Sequence, residues 1–205
     1  MHMPGHKRNV ALLGDELPYP IDITEIDGAD DLHDPEEGGI IGSLCEKYAS
    51  LYRARSAHPL VNGSTCGILA GIRTLTRPGD SVIVARNCHK SVWHAIELCR
   101  LNPICILPPI IEEHGICGAI TPEAVEEAFE RSDGATCVIL TSPTYEGVIS
   151  DVPAIAEVCK KNNSALFVDA AHGAHLGFSE LFPDFPRGAD IAVTSLHKTL
   201  PALTG

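Results

Sequence analysis

From Pro59 onward the chain alternates short apolar runs with stretches in which apolar residues recur every three or four positions. The runs "HPLVN", "SVIVA", "ICILP", "ATCVILTS", "ALFVDAA" and "DIAVTS" predict strands. Between them the spacing predicts helices from about Thr65, from about Lys90, over "TPEAVEEAFERS" and over "VPAIAEVCKKN". Most of these runs are apolar at consecutive positions, so both faces of each strand need cover. That pattern belongs to a mainly parallel sheet with helices on both faces, a three-layer α/β fold.

The first part of the chain reads differently. Residues 1–35 are rich in Pro, Gly and acid and predict an irregular N-terminal segment, with "DITEIDGADDLHDP" at its end. From Gly38 to Arg55, Ile41, Leu44, Cys45, Tyr48, Leu51 and Tyr52 recur at helical spacing, which predicts one amphipathic helix. The sequence shows no internal repeat, low-complexity tract or interdomain linker.

With 205 residues, 44% hydrophobic and 20% charged, the chain can bury a core of its own. A formal charge of −12 speaks against nucleic acid or an anionic membrane as partner, since both are polyanions, and it permits a cationic small substrate. The acids between Asp22 and Asp34 could draw such a substrate in, or simply face solvent or another subunit. Eight cysteines are spread singly without a C-x-x-C, mostly inside apolar runs, which predicts buried reduced thiols and a cytoplasmic protein. Neither an apolar leader nor an apolar run of membrane-spanning length is present in the sequence.

In sheets of this kind ligands sit at the carboxyl ends of the strands. The segments that should converge are therefore 62–67, 86–89, 142–147, 169–175 and 195–198. "NGSTCG" sets Ser64 and Thr65 at a helix start, where free N–H groups and the helix dipole suit a phosphate; the plain alternative is an N-cap by either hydroxyl. Asp169 closes an apolar run, either as a turn cap or as a carboxylate able to hold a heteroaromatic nitrogen protonated. Lys198, beside Ser195 and His197, is either a solvated lysine at a helix start or an amine nucleophile. His89 is either a helix-start histidine or a flat group that stacks on a planar ring. Asp169, His172 and His175 could also be read as metal ligands, although D-x-x-H-x-x-H at a strand-to-loop junction matches no familiar zinc motif. Phosphate cradle, acid, stacking group and amine together are the parts of a pyridoxal 5'-phosphate enzyme, and their order, with the acid 29 positions before the lysine (169 to 198), resembles that of fold-type I enzymes.

At this level "MPGHKRN", "DITEIDGADDLHDP", "NGSTCGILAGI", "RNCHKSVWHAI", "SPTYEGV", "VDAAHGAH" and "SLHKTLPALTG" resemble, in order and over nearly the whole chain, the motifs of the bacterial Orn/Lys/Arg decarboxylase family, major domain. The resemblance implies that Lys198 holds the cofactor covalently, Asp169 pairs with its ring nitrogen and His89 stacks on the ring. It places Ser64, Thr65, Ser195 and His197 around the phosphate and His172 near the ring substituents or the substrate. It implies no metal. The activity it implies is decarboxylation of arginine, lysine or ornithine to a polyamine-pathway amine, by a homodimer or higher homo-oligomer in which a second subunit completes the site. It makes residues 36–205 a truncated cofactor-binding large domain without the C-terminal small domain, nearer the short biosynthetic members than those with an N-terminal wing. "VDAAHGAH" departs from the family by Ala170, where an acid is common. Two further readings stay open: another fold-type I activity, such as an aminotransferase, aldolase or desulfurase, and a non-catalytic truncated relic.

Overall fold

Val82–Ala85, Cys137–Leu140 and Leu166–Ala170 are buried without a break. Successive strand residues point to opposite faces, so unbroken burial requires a layer on each side. The computed structural model, which describes residues 6–7, 9–16, 18, 35–178, 180–182 and 185–202, supplies both layers. Most of 1–35, including the acidic stretch up to Asp34, lies outside the described residues.

Two compact units are present, Met1–His58 and Pro59–Gly205. The first contains a one-turn helix α1 (Val10–Leu13) and the expected amphipathic helix, α2 (Ile40–Leu51).

The second unit is built on a five-stranded parallel sheet. Its strands are β1 (Ser81–Ala85), β2 (Asn102–Ile106), β5 (Cys137–Thr141), β6 (Ala165–Ala170) and β7 (Ile191–Thr194), in the order β2-β1-β5-β6-β7. Helices α3 (Gly63–Leu75) and α4 (Lys90–Cys99) pack on each other, with α3 against β6 and β7. Helices α5 (Pro122–Glu130) and α6 (Val152–Lys161) form the other layer, against β1 and β2 and against β6. Both start as their sequences direct. Thr121 accepts a hydrogen bond from the Ala124 N–H at 3.2 Å and Asp151 from the Ala154 N–H at 3.0 Å, each with a proline in the first turn.

Helix α3 lies close to the sheet because two of its residues lack a side chain. A Cβ on Gly71 would stand 2.6 Å from Phe167 and one on Gly67 3.1 Å from Val193. The same contacts fix the direction of α3. Gly71 lies over Ile191 at the start of β7 and Gly67 over Val193 near its end, so the helix N-terminus points to the carboxyl edge of the sheet.

Three local expectations need correction. "HPLVN" forms no strand: Pro59 has no N–H to donate, Leu60 and Val61 are exposed, and Leu60 instead reaches over Gly67. Helix α3 accordingly starts at Gly63, two residues before Thr65. The strand read in "ICILP" begins earlier, at Asn102, and is followed by an antiparallel hairpin, β3 (Ile110–Ile111) with β4 (Ile116–Cys117), that the apolar run "LPPII" conceals.

Candidate active site

Register aligns the carboxyl ends of three strands. Thr141 is opposite Asp169, and Asp169 is opposite Val193. Aligned residues of neighbouring parallel strands share a face, and Asp169 shares its face with Phe167, which meets α3. The acid therefore points to the side of the sheet where α3 begins. It is 2% exposed, and its Oδ1 accepts the Ala171 N–H at 3.1 Å. Burial raises the Asp169 carboxyl above its ordinary value. The Ala171 hydrogen bond and the positive charges of Lys198, His89 and His172 oppose that rise.

Beyond β7 the chain turns into α7 (Leu196–Thr199), which carries His197, half-buried, and Lys198, exposed. Lys198 Nζ lies 3.3 Å from Nε2 of His172, the residue three positions after Asp169. Burial and the charge of Lys198 push His172 below its ordinary value; Asp169 and Glu146 act the other way. The rings of His172 and Tyr145 also meet in a T-shaped contact, centroids 5.4 Å apart at 78°. Lys198 is exposed, so the described residues do not bury its amine.

Ser64 and Thr65 do not cap α3. The N-cap is Asn62, without a side-chain bond, and the hydroxyls follow Gly63 in the first turn, so the N–H groups there face outward uncapped. Ser195, at the end of β7 toward which that helix start points, is 4% exposed and its Oγ has no hydrogen-bond partner. His89 realises its plain role: it is the N-cap of α4, with Nδ1 3.3 Å from the Ser91 N–H and 2.8 Å from the Ser91 hydroxyl. Those bonds fix the ring plane while its flat faces stay free of them.

Buried side-chain oxygens normally have partners. Among the described residues four do not, those of Asn87, Thr141, Ser195 and Thr199. Asn87, Thr141 and Ser195 follow or end a strand at the carboxyl edge, where a polar ligand would satisfy them, and Thr199 ends α7 beyond β7. The pyridoxal phosphate group fits this edge: an uncapped helix start with an orphaned hydroxyl for its phosphate, a buried acid for its ring nitrogen, and an amine for its aldehyde. Sequence reasoning missed Asn87, Thr141, Thr199 and Tyr145. Asn87 and Tyr145 lie inside the segments the strand-end rule marks, and Thr141 and Thr199 one residue outside them. Burial pushes the Cys88 thiol up to about 12, which makes it a poor nucleophile. His175 is exposed, and among the described residues no three His, Cys, Asp or Glu side chains are grouped to hold a metal ion.

The model of the Orn/Lys/Arg decarboxylase major domain matches residues 3–205. A Bacillus subtilis protein described as uncharacterized protein YaaO is 38% identical over 99% of this chain and 43% of its own length. An arginine decarboxylase of Halalkalibacterium halodurans is 36% identical over the same shares. The chain thus spans 43% of the length of these curated relatives. In fold it is similar to the constitutive lysine decarboxylase of Escherichia coli, with a TM-score of 0.63 and 21% identity over 78% of this chain and 24% of that one.

Proposed function

The chain belongs to the Orn/Lys/Arg decarboxylase family, and from that premise we propose that it binds pyridoxal phosphate at the carboxyl edge of its sheet and serves the decarboxylation of arginine, lysine or ornithine. The observation that carries this reading is the convergence there of a buried acid, an amine and an uncapped helix start with an orphaned hydroxyl.

When bound, the cofactor supplies an electron sink for the pair left on the substrate α-carbon as carbon dioxide departs. The chain's own residues provide the rest. N–H groups of the α3 start, with Ser64, Thr65, Ser195 and His197, hold the phosphate. Asp169 keeps a proton on the ring nitrogen through its negative charge, and that positive partner in turn offsets the cost of burying the carboxylate. His89 flanks the ring. Lys198 would be the amine that holds the cofactor's aldehyde, and it stands beside His172. The 3.3 Å contact lets a proton pass between Nζ and Nε2, so the pair acts as one donor to the α-carbon.

In this reading the working protein is a homo-oligomer in the cytoplasm that makes a polyamine-pathway amine. Its unpaired cysteines and the lack, among the described residues, of a helix long and apolar enough to cross a membrane are consistent with that setting. The test is release of labelled carbon dioxide from carboxyl-labelled arginine, lysine and ornithine in the presence of pyridoxal phosphate. Release from one of the three supports the reading; transfer of the amino group to a keto acid without release contradicts it.

A further inference from the structure

The turn after β5 carries two groups that the proposed chemistry leaves unused. Tyr145 is 83% exposed although aromatic, and its ring touches His172 and not the core. Glu146, next in the chain, is exposed and makes no hydrogen bond or ion pair among the described residues, yet its charge reaches His172.

The turn that presents them is built, not slack. The Thr144 N–H donates to the Val148 carbonyl at 2.9 Å and the Gly147 N–H to the Thr144 carbonyl at 3.0 Å. The Thr144 hydroxyl accepts the Val148 N–H at 3.2 Å, and the Ser142 hydroxyl accepts the Ser150 N–H at 3.1 Å. Ser142 and Thr144 are buried, so the anchors sit inside while Tyr145 and Glu146 project.

One imidazole is therefore touched by the Lys198 amine and by the Tyr145 ring. A substrate bound with its α-amine near Lys198 Nζ would have the Tyr145 ring, which meets the same imidazole, close to it. An unpaired carboxylate next in the chain to a largely exposed aromatic ring is a receptor for an organic cation, by charge pairing and by attraction to the ring.

We infer that Tyr145 and Glu146 form the subsite for the cationic end of the substrate. Glu146 pairs with the distal ammonium or guanidinium, and Tyr145 flanks it. This rests on the reading of the site as a basic amino acid decarboxylase, and it goes further by assigning the specificity to two residues of one turn. A solvated Glu146 would have no effect on binding. A Glu146 that only tunes His172 would affect all amines alike.

Cadaverine and pentylamine separate these cases, since they are the same length and differ only in the distal charge, and neither has a carboxylate to lose. The wild-type chain is first loaded with pyridoxal phosphate, followed by its visible absorbance band, and each amine is then titrated by the change in that band and by calorimetry. In E146Q the affinity for cadaverine falls roughly tenfold, whereas that for pentylamine is unchanged. In Y145L the same selective loss is smaller. E113Q removes an exposed acid elsewhere in the unit and alters neither affinity.

Equal losses for the two amines, no loss in E146Q, or a matching loss in E113Q overturns the assignment. A wild-type chain that develops no band overturns the broader reading, and this inference with it.

Discussion

Nζ of Lys198 and Nε2 of His172 stand 3.3 Å apart, one on α7 and the other just past β6. A positive charge so close to the imidazole disfavours its protonation. Burial first, and the Lys198 charge second, hold His172 below its ordinary value of 6.5. Between the folded value and 6.5 the unfolded chain binds a proton that the folded chain refuses, so through that window stability rises with pH. In K198A the charge is gone and the burial remains. The His172 ring should then titrate at higher pH than in the wild type, without reaching the value of an unfolded histidine, as followed by NMR.

Asp169 carries the opposite sign. Its folded value lies above the ordinary 3.8, so between the two the folded chain holds the proton more tightly, and at higher pH the buried charge costs stability. Without cofactor at neutral pH, D169N should therefore unfold at a higher temperature than the wild type. With cofactor present the order should reverse, because the ring nitrogen then loses its partner. Calorimetric scans with and without pyridoxal phosphate check both halves.

Gly71 sets the distance between α3 and the sheet. In G71A the new Cβ meets the Phe167 ring at 2.6 Å, inside any ordinary contact, and Phe167 is fully buried with nowhere to move. Overpacking of this kind costs about 1–3 kcal/mol. Urea unfolding measures the loss, and the displaced α3 start should weaken phosphate binding at the same time.

The Ser195 hydroxyl is buried without a partner, so removing it should leave the free chain as stable as before or slightly more so. A hydrogen bond to a charged phosphate is worth about 1.5–3 kcal/mol. Equilibrium dialysis of S195A against pyridoxal phosphate should show at least roughly tenfold weaker retention.

Much of this edge is legible in the sequence because strand ends are punctuated by polarity. "ALFVD" stops being apolar at Asp169, and "DIAVTS" stops before Ser195, so the periodicity alone finds where two strands end on the carboxyl edge. Pairing is another matter. "HPLVN" has the composition of a strand, but Pro59 and the reach of Leu60 over Gly67 turn it into the approach to a helix, and those are tertiary facts. The hairpin at Ile110–Cys117 hides for the same reason, since two residues per strand are too few to show an alternation. His89 was legible as a residue that starts a helix or stacks on a ring, and its bonds to Ser91 show the first role. Tyr145 escaped notice because nothing local marks an aromatic residue on a turn as facing a histidine 27 positions later (145 to 172). The orphaned Asn87, Thr141 and Thr199 oxygens are visible only once the neighbours that fail to bond them are in place.

The central claim is that the amine of Lys198 captures the cofactor. The direct measurement is to load the chain with pyridoxal phosphate, reduce it with borohydride, digest it and locate the phosphopyridoxyl group by mass spectrometry. A single modified peptide carrying the group on Lys198, lost in K198A while far-UV circular dichroism is unchanged, is the result expected. Modification scattered over the surface lysines with Lys198 unmodified would contradict it.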